Sequence, residues 1–431
     1  MTLTGVAFVA AYLYGLLLAF VSHPRWGLYV YIGTFYLHPP MRWWGASLPD
    51  LRWSLIAAVV TLIALTSSTK VERSASPWIS HTFSKCLIAF AAWMWVQLAW
   101  ANPSHFNDGV ILWTKYVVLS YIIYRLVRDE DALLGFAYAH VAGCLYFGLL
   151  VLSAEGGGRL ENLGGPGVSD SNTLGMHMTT GLLFAGALIL TQKGWQRWSV
   201  IGMLPFLANT IVQTQSRGAF LGGAAGGLVY WYFAPKVQRK YFGALAVMGV
   251  CVLLAYAPSG YWERMYSVNK MAENTEDMDA SAESRFVIAD KQLEMFAAHP
   301  WGLGFNTTGY LSATYLEKRW LSDGARSSHN TLLSVVTDQG IPGIIIVLIV
   351  IFSTFRLALQ LRHKIAWAED PFLRSMLAAI CGSLAVSFTA GMFTDYLKAE
   401  IQLWSLSLLL CLAQIVQHNI STSAIKPAPG S

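Results

Sequence analysis

The stretch SSHNTLLSVVTDQGIPGIIIVLIVIFSTF (327–355) decides the fold. From Ile341 onward it is almost unbroken Ile, Val, Leu and Phe. A membrane-spanning helix needs about 20 mostly apolar residues, and 331–356 supplies them. The entrance to this run is polar. Arg326, Ser327, Ser328, His329 and Asn330 form a collar of charge, hydroxyl, imidazole and amide at the mouth of a membrane helix. Such a collar belongs where lipid meets water, and it asks for a reason beyond solubility.

The rest of the chain agrees with a membrane reading. Of its 431 residues, 55% are hydrophobic and only 12% charged, with a mean hydropathy of +0.46. A soluble domain carries about 25% charged residues, so this charge is half the usual share. The 17 Trp and 19 Tyr suit the two interfacial belts of a bilayer. The net charge of +5 comes from scattered basic residues, so no nucleic-acid partner is implied. Cys86, Cys144, Cys251, Cys381 and Cys411 all sit in apolar runs without a CxxC pair. They read as small membrane-facing hydrophobes, with no disulfide framework and no metal cluster. Residues 5–21 lack the basic n-region and clean cleavage site of a signal peptide.

Apolar segments lie near 4–21, 27–38, 53–66, 86–101, 109–125, 132–152, 173–191, 199–213, 218–234, 240–257, 331–356, 372–391 and 401–417. The run at 27–38 is short and ends in HPP, which leaves twelve spans as the preferred count. The expected fold is therefore an all-α polytopic integral membrane protein of about twelve transmembrane helices. Loops at 67–85, 125–131, 192–198, 234–241 and 356–371 hold 13 Lys and Arg, whereas the alternate set holds 5. The basic set is cytoplasmic by the positive-inside rule, and so is the C-terminal tail.

One connection is too large to be a simple loop. Residues 258–330 carry 17 of the chain's 53 charged residues, with 10 acidic and 7 basic. Alternation puts this segment outside. The chain thus divides into an N-terminal bundle (1–257), a large external loop (258–330) and C-terminal helices with a tail (331–431). Within the loop, SAESRFVIADKQLEMFAAH (281–299) predicts an amphipathic helix with Phe286, Ile288, Leu293 and Phe296 on roughly one face. Pro300 stops it, and PWGLGFNTTGY reads as a Gly-rich turn region.

Three constellations can carry chemistry. In TQSRGAFLGGAAGG, Arg217 opens a span beside Ser216 and a glycine run that permits close helix packing. It is either a snorkelling interfacial Arg or an anion clamp, since a guanidinium fork fits phosphate bidentately. Arg264, Arg285 and Arg326 form the second group. Arg264 directly follows Glu263, which favours a surface ion pair. Arg285 lies on the predicted loop helix. The third is the collar itself. Ser327, Ser328 or Asn330 can cap the following helix. His329 at the same end feels the positive pole of the helix dipole, which disfavours its protonated form. A neutral imidazole there is a candidate general base. Weaker candidates are Asn172 beside Asp170 in SDSNTLGMHM, Asp395 in TDYLKAE, and Lys115 a turn or two inside a span. Capping or snorkelling explains each of these as well. There is no P-loop, no HExxH and no Cys/His metal spacing, and the cytoplasmic loops are short.

Taken together, TQSRGAFLG, SAESRFVIADKQLEMFAAHPWGLGFNT and SSHNTLLSVVTDQGIPGIIIVL resemble the successive signatures of the bacterial O-antigen ligase and O-antigen polymerase superfamily. They cover roughly 209–352, and DSNTLG resembles its upstream Asn element. The resemblance implies a metal-independent inverting glycosyltransferase of the all-helical GT-C-like membrane type, needing no cofactor, in the bacterial inner membrane with its large helical loop in the periplasm. It implies an undecaprenyl-diphosphate glycan as donor and, for ligases, lipid A-core as acceptor. The family's essential Arg falls on Arg217, its loop-helix Arg on Arg285, its His on His329, and a late acid on Asp395. A polymerase or a protein O-oligosaccharyltransferase of the same superfamily fits the same residues. A lipid-linked glycan flippase is the alternative from another class. Transporters usually show a repeat, which is not evident here, and the concentration of charge in one external loop favours an enzyme.

Overall fold

The structure is a computed structural model. It describes residues 1–71, 76–101, 103–153, 160, 162–165, 167–256, 262, 280–321, 326, 328–368, 370–396 and 399–425. Every regular element among them is helical. Seven of the described helices are long and apolar enough to cross a membrane. This supports a polytopic helical membrane protein, with fewer qualifying spans than the expected twelve. Some of the remaining helices are simply short, such as Arg25–Leu37 (13 residues), Trp53–Ser67 (15 residues) and Arg217–Phe233 (17 residues). Four of the five cysteines are buried and Cys251 is exposed, so the cysteines mostly face protein rather than lipid.

Helix Ser171–Thr191 runs through the middle of the bundle and is buried on almost all sides. Asp170 caps it, accepting from the amides of Asn172 (2.9 Å) and Thr173 (3.1 Å). Around it pack helices Glu130–Leu152, Gly194–Thr214, Arg217–Phe233 and Pro371–Gly391. The last two share the most extensive contact in the bundle. Gly218, Gly222 and Gly226 recur every fourth residue and so line one face of the arginine helix, Arg217–Phe233. A Cβ on Gly226 would lie 2.8 Å from the Gly382 carbonyl oxygen, and one on Gly382 would lie 2.9 Å from that of Gly226. In lipid, where apolar burial gives little drive, such backbone approach is what holds helices together.

The long helix Thr331–Ala368 is not one straight span. Gly340 has φ 62° and ψ −155°, and Pro342 follows. The helix therefore breaks after Gln339 and resumes at Ile341. The pattern 331–356 predicted a continuous span, because an internal Pro alone is tolerated in membrane helices.

The segment 280–315 folds onto this break. Its loop helix, Ala280–Ala298, is followed by a turn through Pro300–Asn306 and a short helix, Thr307–Tyr315. The buried face of the loop helix is Ser284, Ile288, Gln292 and Met295. Phe286 and Leu293 lie on the opposite side and are exposed. The expected apolar face is thus corrected. Seven residues is nearly two helical turns, so Phe286 and Leu293 do share a face. That face is not the one that docks.

The glycine contacts give a clear expectation. Gly226→Leu should wedge the two helices apart, costing about 1–3 kcal/mol or more. Gly227→Leu, where a Cβ meets nothing within 4 Å, should be close to neutral. Thermal unfolding followed by fluorescence-detected size exclusion would compare the two. Equal melting temperatures would show that this contact does not hold the pair.

Candidate functional site

The polar collar sits where several helix ends meet. Asn330 caps the long helix, its Oδ1 accepting from Leu332 N (2.9 Å) and Leu333 N (3.1 Å). Its Nδ2 donates to the Met392 carbonyl at 3.4 Å. Thr331 Oγ1 donates to Thr394 O and accepts from Tyr396 N, each at 2.9 Å. The turn 392–396 is thereby stitched to the start of the long helix.

The same turn touches the other two candidate elements. Gly218, next to Arg217, faces it, since a Cβ there would lie 3.3 Å from Phe393 Cβ. Tyr396 Oη donates to the Asn172 carbonyl at 2.9 Å. Ser216 Oγ donates to Asn172 Oδ1 at 2.9 Å and accepts from Ala219 N at 3.1 Å, capping the arginine helix. Asn172, Ser216, Arg217, His329, Asn330 and Asp395 therefore gather at one end of the bundle, around one short turn. Arg217 is the first residue of its helix and is 7% exposed. His329 and Asp395 are half-buried.

The loop helix closes onto this group from outside. Gln292 Nε2 donates to Ser328 Oγ and to Thr308 Oγ1, each at 3.0 Å. Ser328 Oγ in turn donates to the Asn330 carbonyl at 3.0 Å. Arg326 joins the loop helix through Nη2 to Ser284 Oγ at 3.1 Å, while its amide donates to Ser312 Oγ at 2.7 Å. Arg285, the neighbour of Ser284, is half-buried on that helix. Arg264 and Ser327 lie outside the described residues. Lys115 stands apart from the collar. Its charge acts on Glu400, whose carboxylate accepts from Tyr31 Oη at 2.8 Å.

Residues 201–348 match the family described as O-antigen ligase. The chain carries an O-antigen ligase-family domain. The matched segment of this family contains Ser216, Arg217, Arg264, Arg285, Arg326, His329 and Asn330, whereas Lys115, Asn172 and Asp395 lie outside it. No curated protein matches the chain in sequence.

Within the O-antigen ligase segment, one acid escaped the sequence reading. Asp338 is 2% exposed. Its carboxylate accepts from Asn306 N (2.7 Å) and Thr307 N (2.9 Å), capping the short loop helix. Its own carbonyl, freed by the helix break, accepts from Gly304 N and from Gln97 Nε2, each at 2.9 Å. An ionisable residue inside an apolar helix was the available signal.

A second polar cluster lies deeper. His140, Cys144 and His177 present ligand-type atoms within 4.8 Å of one another, and all three are buried. His140 and Cys144 are one turn apart, a pairing invisible when cysteines are counted alone. Tyr36 Oη sits among them, 2.5 Å from His140 Nδ1 and 2.7 Å from His177 Nε2. The hydroxyl fills the centre of the group, which makes it a hydrogen-bond hub joining three helices.

Asp338→Ala should free the loop from the long helix. Two amides, that of Thr307 buried, would lose their carboxylate acceptor, a loss of about 3 kcal/mol. Asp338→Asn keeps one acceptor and should fall between. Limited proteolysis across 300–315 would report this as faster cleavage in the Ala variant than in the Asn variant. Unchanged cleavage in Asp338→Ala would show that the cap does not hold the loop.

Proposed function

We propose that this protein is an O-antigen ligase that transfers a glycan from undecaprenyl diphosphate to lipid A-core oligosaccharide at the periplasmic face of the bacterial inner membrane. The observation that carries the reading is the convergence of Arg217, His329 and Asn330 on the 392–396 turn, at the mouth of an apolar cavity. That cavity, about 590 Å³, is bounded near the collar by Thr331, Met392 and Gln402, and continues between helices lined by Trp113, Val347 and Leu403. A lipid-linked donor suits such a place. Its hydrocarbon would lie in the cavity and its diphosphate at the cationic rim.

The chemistry follows from the side chains. Breaking the anomeric C–O bond puts negative charge on the departing undecaprenyl diphosphate. Arginines stabilise that charge through fixed, charge-assisted hydrogen bonds. Arg217 serves as the inner clamp, and Arg285, Arg326 and Arg264 on the loop as outer ones. The acceptor hydroxyl attacks the anomeric carbon from the opposite face and gives its proton to His329. A single displacement of this kind inverts the anomeric centre and needs neither metal nor nucleotide. The start of the long helix favours a neutral His329, which is the state a base requires. Asn330, Ser216, Asn172 and Asp395 hold the helix ends in register. Lys115 acts at a distance, through Glu400 and the segment leading to Tyr396.

Purified protein mixed with undecaprenyl-diphosphate glycan and lipid A-core, without metal or nucleotide, should glycosylate lipid A-core. His329→Ala should abolish transfer while leaving the melting temperature unchanged. Arg217→Lys should also lose transfer by about 100-fold or more, because Lys lacks the bidentate fork. A lengthened donor glycan instead would indicate a polymerase, and lipid movement without transfer a flippase. Normal transfer by His329→Ala would remove the base from the mechanism.

A further inference from the structure

The end of the bundle opposite the collar carries a second cationic cluster. The arginine helix ends at Phe233, about 24 Å of helical rise from Arg217. Three other guanidiniums converge on that end. Arg239 donates from Nη2 to Tyr232 O at 2.8 Å and from Nε to Ala234 O at 3.2 Å. Arg374 Nε donates to Phe233 O at 3.4 Å. Arg362 lies over the Tyr232 ring at 3.9 Å and near the Phe233 ring at 6.0 Å. All three are half-buried, and Arg239 and Arg362 are close enough to repel Arg374.

One cation would answer the negative pole of a helix C-terminus. Three cations gathered on one helix end by hydrogen bonds and ring contacts to Tyr232, Phe233 and Ala234 call for an anion. Among the described residues, none of the three forms an ion pair with a carboxylate. Asp370, nearest in sequence to Arg374, is engaged in capping its own helix through Leu373 N at 3.0 Å. Each guanidinium presents five donors. The helix-end carbonyls take two from Arg239 and one from Arg374.

The surroundings say which anion. Tyr232 and Phe233, the rings under Arg362, also line the apolar cavity, together with Phe355 and Ala358. The cluster therefore rims the far mouth of a slot fit for hydrocarbon. A basic cluster above apolar surface is the chemistry that retains anionic lipid. By the Lys/Arg distribution, 234–241 and 356–371 belong to the basic, cytoplasmic set of loops.

We propose that Arg239, Arg362 and Arg374 bind the phosphate of an anionic phospholipid whose acyl chains enter the apolar cavity from the end opposite the candidate active site. The phosphate position lies at the opposite end of the bundle from the donor's and is occupied from the other leaflet.

Native mass spectrometry of the full-length protein tests this with three probes: phosphatidylglycerol, phosphatidylcholine and inorganic phosphate. Wild type should retain a one-to-one phosphatidylglycerol adduct in preference to phosphatidylcholine, and inorganic phosphate should not displace it. The combined change Arg239→Gln, Arg362→Gln and Arg374→Gln should reduce the adduct about tenfold or more. The change Lys193→Gln with Arg197→Gln removes two exposed basic residues of another cytoplasmic-set loop and should leave the adduct intact. Equal binding of phosphatidylcholine by wild type would overturn the proposal without any variant. Displacement by inorganic phosphate would also overturn it, as would equal loss in the Lys193 and Arg197 control.

Discussion

The break in the long helix at Gly340 is the constraint on which the rest of this architecture turns. A helix that breaks at membrane depth leaves backbone groups without intrahelical partners, and lipid cannot supply them. Here protein supplies them. Ile341 N donates to Pro300 O at 2.9 Å, Trp93 Nε1 donates to Gln339 O at 2.9 Å, and the Asp338 carbonyl takes Gly304 N and Gln97 Nε2. The 300–307 turn is therefore part of the long helix's own hydrogen bonding. Two glycines make the fit possible. Gly302 and Gly340 both have positive φ, and a Cβ on either would come within 2.4 Å of the facing backbone.

Much of this was legible in the sequence because it depends on small residues and end-of-helix chemistry. The glycine run after Arg217 foretold a close helix partner, and Gly226 against Gly382 is that partner. The collar foretold a cap, and among its candidates Asn330 fills the role. Arg217, His329 and Asp395, far apart in the chain, were grouped by resemblance, and hydrogen bonds around 392–396 bring their segments together.

What the sequence concealed has a common cause. Periodicity reports hydrophobicity, whereas the loop docks through polar atoms. Phe286 and Leu293 mark the more apolar face of the loop helix, yet burial follows Gln292 with its bonds to Ser328 and Thr308. Gln97 and Asp338 likewise read as exceptions inside apolar runs, and only the folded chain shows that they hold the break together. The helix count diverged for a related reason. Apolar runs mark every segment that avoids water, including helices such as Arg25–Leu37, Trp53–Ser67 and Arg217–Phe233 that fall short of the usual span length.

The arrangement also explains how a histidine at the end of a long loop can be held still. His329 lies between two anchored neighbours. Ser328 is tied to the loop helix through Gln292, and Asn330 is tied to the long helix by its cap and to the 392–396 turn through Met392. Position is thus imposed through the backbone on both sides. Loosening either anchor would move the ring relative to Arg217 without touching either residue. The proposed base and anion clamp, carried by different helices, can work only if their spacing is fixed to within a fraction of an ångström. The broken helix and its inserted loop supply that rigidity where a freely hinged loop would not.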